Sequence, residues 1–269
     1  MLTKRLVACF DVVAELIEDE TRHEITVCKQ NVADLAREMY EEQIDELYIY
    51  DKTASESSSH IDIDVIKRVA EHVFVPLTVG GGIRDLDDMF KALKAGAEKI
   101  SINTQAVKNP KLIEEGAKAF GVQCILLTAH VKKTVKMPSG YEVYIDDGRT
   151  AAGLDAIEWL KQAEQLGAGE VCLRTIESVG KGGSMVNFYG FDAELIKNVE
   201  SHISMPLIAS CTAASPEQIK DLFTKTEAGA AIIGSSLHPY RQKKDYTVAE
   251  LKKYLIGSGI DMRPSSVVS

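Results

Sequence analysis

A chain of 269 residues, 45% hydrophobic and 26% charged, has the length for one large domain or two small ones and the composition of a globular protein. Its formal charge of −9 disfavours nonspecific binding to nucleic acid, its opening run MLTKRLVACFDV is too short for a signal peptide, and it has no stretch of 18 apolar residues to cross a membrane. Five cysteines (Cys9, Cys28, Cys124, Cys172 and Cys211) form no CxxC spacing, so neither a disulfide framework nor a metal site is expected, no cofactor is called for, and a reducing cytoplasm is the expected location.

In chain order, short apolar runs predict strands at Arg5–Asp11, Leu47–Asp51, Leu77–Val79, Lys99–Ile102, Cys124–Ala129, Val171–Thr175, Leu207–Ala209 and Ala231–Gly234. Between them VADLAREMYEEQ, IDVIKRVAEHV, LDDMFKALKAG, AIEWLKQAEQLG and SPEQIKDLFTKTEAG carry apolar residues at helical spacing, and several end in glycine, as helix C-termini do. Eight strands alternating with helices predict a (β/α)8 TIM barrel; the competing architecture is a doubly wound open sheet. Cys9 and Cys124 fall in apolar runs and are expected to be buried packing residues. No nucleophile–histidine pairing marks the chain itself as a glutaminase.

The chain also repeats itself. VPLTVGGGIRDLDDMFKALKAGAEKISIN, from Val75, aligns with MPLIASCTAASPEQIKDLFTKTEAGAAIIGSS, from Met205, and DELYIYDKTAS aligns with GEVCLRTIESVG. Such a duplication builds two (βα)4 halves, about 1–120 and about 121–263, within a single barrel domain spanning 1–269, and two halves close a barrel more naturally than they make an open sheet. The same alignment sets His130 at the second-half position that Asp11 holds in the first. Both are expected at the C-terminal ends of their strands, where barrel active sites form.

VGGGIRD offers Gly81 and Gly82 as bare backbone near a bound phosphate, and KISINT adds Asn103 and Thr104 at a helix N-terminus. The second-half equivalent is poorer. Its glycine run has become Ser210-Cys211-Thr212, which leaves Gly234 and Ser235, followed by Ser236, as its donors.

MLTKRLVACFDV, DELYIYDKTAS, VPLTVGGGIRD, AGAEKISINTQAV and the C-terminal ELKKYL…GIDMR together resemble the cyclase subunits of imidazole glycerol phosphate synthase, from Met1 to about Arg263. The resemblance implies a lyase-type barrel of histidine biosynthesis that forms a heterodimer with a glutaminase subunit docked at its bottom and receives ammonia through its lumen. At its top it would cleave and cyclise a phosphorylated small molecule, a bis-phosphorylated ribulosyl aminoimidazole carboxamide nucleotide, to imidazole glycerol phosphate and an aminoimidazole carboxamide ribotide.

The family's catalytic pair is an aspartate at each of the two strand ends. Asp11 matches the first, and His130 stands at the second, where an imidazole with an ordinary pKa of about 6.5 suits proton exchange. Other departures surround the top: Glu177-Ser178-Val179-Gly180-Lys181 replaces an Asp-Arg-Asp-Gly-Thr turn, and the first loop, ELIEDETRHEITVCKQ, is acidic where the family carries a lysine and glycines. The bottom keeps the family's ammonia gate at Arg5, Glu46, Lys99 and Glu170, two cations and two anions able to pair into a closed polar plate. These features imply a synthase-type subunit with a diverged reaction or acceptor. The alternative is a non-catalytic barrel that conducts ammonia to, or regulates, a separate amidating enzyme.

Overall fold

The computed structural model describes residues 3–13, 16–19, 26–57, 59–179, 185–187, 190–211, 215–233 and 246–263, with backbone alone at 16–19, 26–30, 56, 177–179 and 185–187. Eight parallel strands form the barrel: β1 (Arg5–Val13), β2 (Glu46–Asp51), β3 (Leu77–Gly80), β4 (Lys99–Ile102), β5 (Ile125–Lys133), β6 (Glu170–Val179), β7 (Leu207–Cys211) and β8 (Ala230–Ile233). Each pairs with the next, and β8 returns to β1 through Arg5 opposite Ala230 and Val7 opposite Ile232, so no open edge remains among these eight.

Besides the short helices Lys52–Ser57 and Thr104–Lys108, the described residues form eight helices of eight residues or more: α1 (Val32–Glu41), α2 (Ile63–Ala70), α3 (Leu86–Lys94), α4 (Lys111–Phe120), α5 (Ala156–Leu166), α6 (Ala193–Glu200), α7 (Pro216–Lys225) and α8 (Val248–Gly257). Their starts are written locally. Asn31, Asp62, Asp85, Asp155 and Asp192 accept from backbone N–H groups of the first turn, while Ser215 with Gln218 and Thr247 with Glu250 form reciprocal capping boxes. Among the described residues no helix is long and apolar enough to cross a membrane.

The strands read as continuous apolar runs because both of their faces are buried. On β1, Leu6, Ala8, Phe10 and Val12 pack outward against the helices, whereas Val7 turns into the barrel with Tyr48, Leu126, Cys172, Ile208, Ala230 and Ile232. A buried ion pair ties the last helix to the first strands. Lys252 Nζ lies 2.7 Å from Asp45 Oδ1 and donates to the Gln43 carbonyl at 2.7 Å, while Asp45 Oδ2 accepts from the Leu6 N–H at 2.9 Å.

Three additions stand on top of the barrel that the apolar runs did not predict. Leu16–Asp19 and Thr26–Asn31 form an antiparallel ribbon continuing from β1. β5 does not stop at Ala129 but runs on to Lys133, and Tyr141–Ile145 folds back antiparallel on this extension, with His130 opposite Tyr144, before Thr150–Asp155 completes the hairpin. β6 likewise continues through Val179 and pairs with Met185–Asn187. Cys124 is not in a strand: it ends the short 3₁₀ turn Val122–Cys124 and, like Cys9, is half-buried.

Candidate active site

At the N-terminal ends of the strands, β1, β2, β4 and β6 carry Arg5, Glu46, Lys99 and Glu170. Arg5 binds Glu46 through Nη1 and Glu170 Oε1 through Nη2 at 2.7 Å, and Lys99 Nζ binds Glu46 Oε2 at 3.2 Å and Glu170 Oε2 at 2.6 Å. Each glutamate therefore binds Arg5 through one carboxylate oxygen and Lys99 through the other, and the four side chains close a ring of alternating charge. Both glutamates are buried, and the charges sum to zero, so no uncompensated charge faces the apolar lumen above. Burial works against the Arg5 charge, but Glu46 and Glu170 outweigh it and hold the guanidinium pKa above its ordinary value.

Above this plate Tyr48 reaches across the lumen. Its hydroxyl donates to Ser101 Oγ at 2.6 Å and lies 3.0 Å from Thr128 Oγ1, while Ser101 and Thr128 are 2.8 Å apart, a triangle of mutually satisfied buried hydroxyls. Gly80 makes room for it, since a Cβ there would sit 3.2 Å from the Tyr48 oxygen and 3.0 Å from the Ser101 Cβ. Burial raises the Tyr48 pKa, so the phenol stays protonated.

The mouth holds two adjoining spaces. The smaller, about 30 Å³, is lined by Cys9 and Asp11 from β1, Tyr48 and Tyr50 from β2, Thr128 and His130 from β5, Cys172 and Arg174 from β6, Ser210, Ile232, and Asp147 from the 141–155 hairpin. That volume holds about one water-sized molecule. The larger, about 290 Å³, is lined among others by Gly81, Gly82, Arg84, Asn103, Thr104, Lys108 and Arg149, and it shares Tyr50, Thr128 and His130 with the first.

His130 departs from the expectation for an imidazole that titrates near neutrality. It is buried, and burial followed by the charge of Arg174, its register neighbour on β6, lowers its pKa to about 3. The Asn103 amide nitrogen lies 3.3 Å from His130 Nδ1 and 3.4 Å from the Tyr144 carbonyl oxygen. A carbonyl only accepts, so the amide donates, His130 Nδ1 accepts, and the ring proton resides on Nε2. Among the residues lining the smaller space, the positive charge therefore belongs to Arg174 rather than to His130. Because the folded pKa lies below the unfolded one, His130 opposes folding as pH falls from about 6.5 toward 3 and is neutral in its effect above that window.

The first-half glycines owe their identity to the backbone. Gly81 and Gly82 have φ of 85° and 69°, and added Cβ atoms would lie 2.2 Å from the Asp51 carbonyl oxygen and 2.6 Å from the Ala54 Cβ. The open sides of these residues thus face protein rather than a ligand. Asn103 keeps its Oδ1 buried without a hydrogen-bond partner. The Thr104 hydroxyl accepts from the Asp146 N–H at 2.8 Å, and Lys108 pairs with Asp146 at 3.0 Å, so the hairpin tip rests on this cradle. Gly234, Ser235, Ser236 and Thr212 lie outside the described residues, as do the side chains of Val179 and of the whole acidic first loop. Among the described residues no group of three or more His, Cys, Asp or Glu side chains is arranged to hold a metal ion.

Sequence reasoning missed Asp147 and Arg174. Arg174 was visible only as one charge in an apolar run. The hairpin had a signal, the strict alternation of Tyr141-Glu142-Val143-Tyr144-Ile145 before Asp146-Asp147-Gly148.

The model of the histidine biosynthesis protein family matches residues 5–243. The chain is 42% identical over 266 residues to the imidazole glycerol phosphate synthase subunit HisF of Desulfatibacillum aliphaticivorans, covering 98% of each chain. It is 42% identical over 266 residues to the subunit of the same name from Nitratidesulfovibrio vulgaris, with 98% of this chain and 99% of the relative covered. With that of Methanocaldococcus jannaschii it shares 40% identity over 280 residues, again with 98% and 99% covered.

Proposed function

The chain belongs to the histidine biosynthesis protein family, and from that premise we propose that it is the ammonia-using barrel subunit of a synthase of the imidazole glycerol phosphate type. In this reading a glutaminase subunit docks at the N-terminal face, ammonia enters through the plate of Arg5, Glu46, Lys99 and Glu170, and it meets a phosphorylated acceptor at the mouth. Asp11 exchanges protons with the reacting groups, and His130 is a neutral hydrogen-bonding neighbour. Asn103, Thr104, Lys108, Arg84 and Arg149 offer donors and positive charge for a phosphate in the larger cavity. Gly81 and Gly82 shape that cavity, and Gly234 and Ser235 are the second-half candidates for the other phosphate.

The observation that carries this reading is the alternating ring at the bottom. Two buried carboxylates and two cations need a reason to be in a barrel floor, where apolar residues of similar volume would be at least as stable. A neutral polar plate that can part to admit a small neutral molecule supplies that reason.

Lys99→Ala tests it. Arg5 would then be left to serve both Glu46 and Glu170, and the ring would open on the Lys99 side. With the glutaminase partner reconstituted, glutamine-dependent turnover should fall by about an order of magnitude, because ammonia is no longer delivered at high local concentration. Turnover driven by added ammonium salt should stay within about twofold of the wild type, since bulk ammonia bypasses the floor. Equal losses in both assays would remove the plate from ammonia transfer.

A second reading is favoured by the small volume under the hairpin: a barrel that only conducts ammonia to a separate amidating enzyme. It needs the plate and the docking face but not Asp11, and substitution of Asp11 separates the two.

A further inference from the structure

The mouth of this barrel has a vacancy in its chemistry. Position 130, aligned by the internal repeat with Asp11, holds an imidazole that is neutral, buried and engaged through Nδ1 by Asn103. Such a ring carries no ready proton to give and is a weak base, so a reaction that needs proton exchange on both sides of the lumen lacks its second partner there. On the reading proposed above, something else must supply it.

We propose that Asp147, carried over the mouth by the 141–155 hairpin, is the second proton-exchanging carboxylate of this site and the working partner of Asp11. Asp147 is a hairpin-tip residue, and such residues ordinarily point to solvent, yet only 7% of its surface is exposed. It lines the same chamber of about 30 Å³ as Asp11, His130 and Arg174. Both carboxylates also act on Tyr50: burial raises the phenol pKa most, the Asp147 charge adds to it, and Asp11 contributes further.

The backbone is set up to deliver this side chain. Asp146 and Asp147 have φ of 51° and 58°, followed by Gly148 at 75°, a left-handed run that aspartate tolerates better than most residues. Thr104 and Lys108 hold Asp146, and the ladder from His130–Tyr144 to Lys133–Tyr141 fixes the hairpin arm. The tip is thereby anchored on β4's phosphate cradle while its next residue turns into the lumen.

Among the described residues, the ionisable groups lining the chamber with Asp147 are Asp11 and Cys9 from β1, Tyr48 and Tyr50 from β2, His130 from β5, and Cys172 and Arg174 from β6. Burial keeps Tyr48, Tyr50 and Cys172 protonated, the last with its pKa pushed up to about 12. Among the described residues two carboxylates and one guanidinium thus line one small chamber, the crowding under which paired carboxylates come to share a proton and act as acid and base.

Two measurements decide the matter. The first needs no turnover: the aspartate 13Cγ signals of the full-length chain are titrated by NMR in the wild type, Asp11→Asn and Asp147→Asn. Asparagine suits the left-handed turn, so the second variant keeps the hairpin. Each substitution should move the remaining carboxylate's midpoint to lower pH, reciprocally, because a like charge has been removed. If neither midpoint moves, the two groups share no site and the proposal is overturned. The second is ammonium-dependent turnover of the bis-phosphate nucleotide. Asp147→Asn should lower kcat by about 10²-fold and flatten one limb of the pH profile, with KM changed less than about threefold and partial recovery in Asp147→Glu. A kcat within about threefold of the wild type would overturn the assignment even if the titrations couple. Absence of wild-type turnover would instead sink the proposed function, and the titration would still decide whether Asp147 shares a site with Asp11.

Discussion

Asp11→Asn is expected to lower ammonium-dependent turnover by about 10² to 10⁴-fold, the contribution a positioned proton-exchanging group makes to a rate. Asp11 lies on β1 opposite Tyr50 of β2, and its side chain reaches the small chamber at the mouth. Asparagine keeps the shape and the capacity to accept a hydrogen bond, but it neither takes nor returns a proton. The barrel should fold unchanged, because the β1 ladder is backbone-made and the outward residues Phe10 and Val12 that anchor the strand are untouched. The neighbouring His130 offers no rescue: its imidazole is already neutral, and with a pKa of about 3 it is too weak a base near pH 7. Steady-state kinetics with ammonium salt, alongside a circular dichroism melt, check this. Turnover within about threefold of the wild type would remove Asp11 from the mechanism and favour the conducting barrel.

Lys252→Ala should cost about 3–5 kcal/mol of stability, the penalty for leaving a buried carboxylate without its cation. Lys252 and Asp45 are each close to fully buried, 207 positions apart in the chain, and Asp45 also takes the Leu6 N–H. The pair thus joins α8 to β1 and to the turn before β2, at the place where the barrel closes. Removing the ammonium leaves Asp45 charged in an apolar setting and the Gln43 carbonyl without this donor's hydrogen bond. For a domain of this size that loss corresponds to a thermal midpoint lower by roughly 10 °C. Lys252→Met combined with Asp45→Asn should recover most of it, because the stem is replaced, no charge is buried, and an amide oxygen remains for Leu6. Urea unfolding of the three variants measures the difference. A loss below about 1 kcal/mol in Lys252→Ala would mean that the pair contributes no more than an exposed one.

The strands were legible because each barrel strand is apolar on two faces, so β1 through β8 appear as uninterrupted runs whatever the surrounding sequence does. The helices that were read showed themselves through apolar residues at helical spacing and glycine stops. What escaped was everything that depends on a partner far away in the chain. The sequence shows His130 but not that Arg174 stands in register with it, so an ordinary imidazole pKa was a reasonable and mistaken expectation. It shows Gly81 and Gly82 but not that Asp51 and Ala54 occupy the space their side chains would need. Asp45 and Lys252 look like two solvent-facing charges until α8 closes over the turn. The hairpin from Tyr141 to Asp155 was available in the alternation of YEVYI and went unread because the barrel pattern already accounted for eight strands. The four floor residues were singled out by resemblance and by complementary sign, and their geometry as a closed ring came only with the structure.

The most direct measurement of the central claim, that ammonia is used at the mouth of this barrel, is turnover by the isolated chain at a pH high enough for free ammonia to be abundant. The bis-phosphorylated ribulosyl aminoimidazole carboxamide nucleotide serves as substrate, and consumption is followed against ammonia concentration. The account predicts a rate that rises with free ammonia, saturates, and is lost in Asp11→Asn. A folded wild-type chain that leaves the nucleotide unchanged at every ammonia concentration would contradict it.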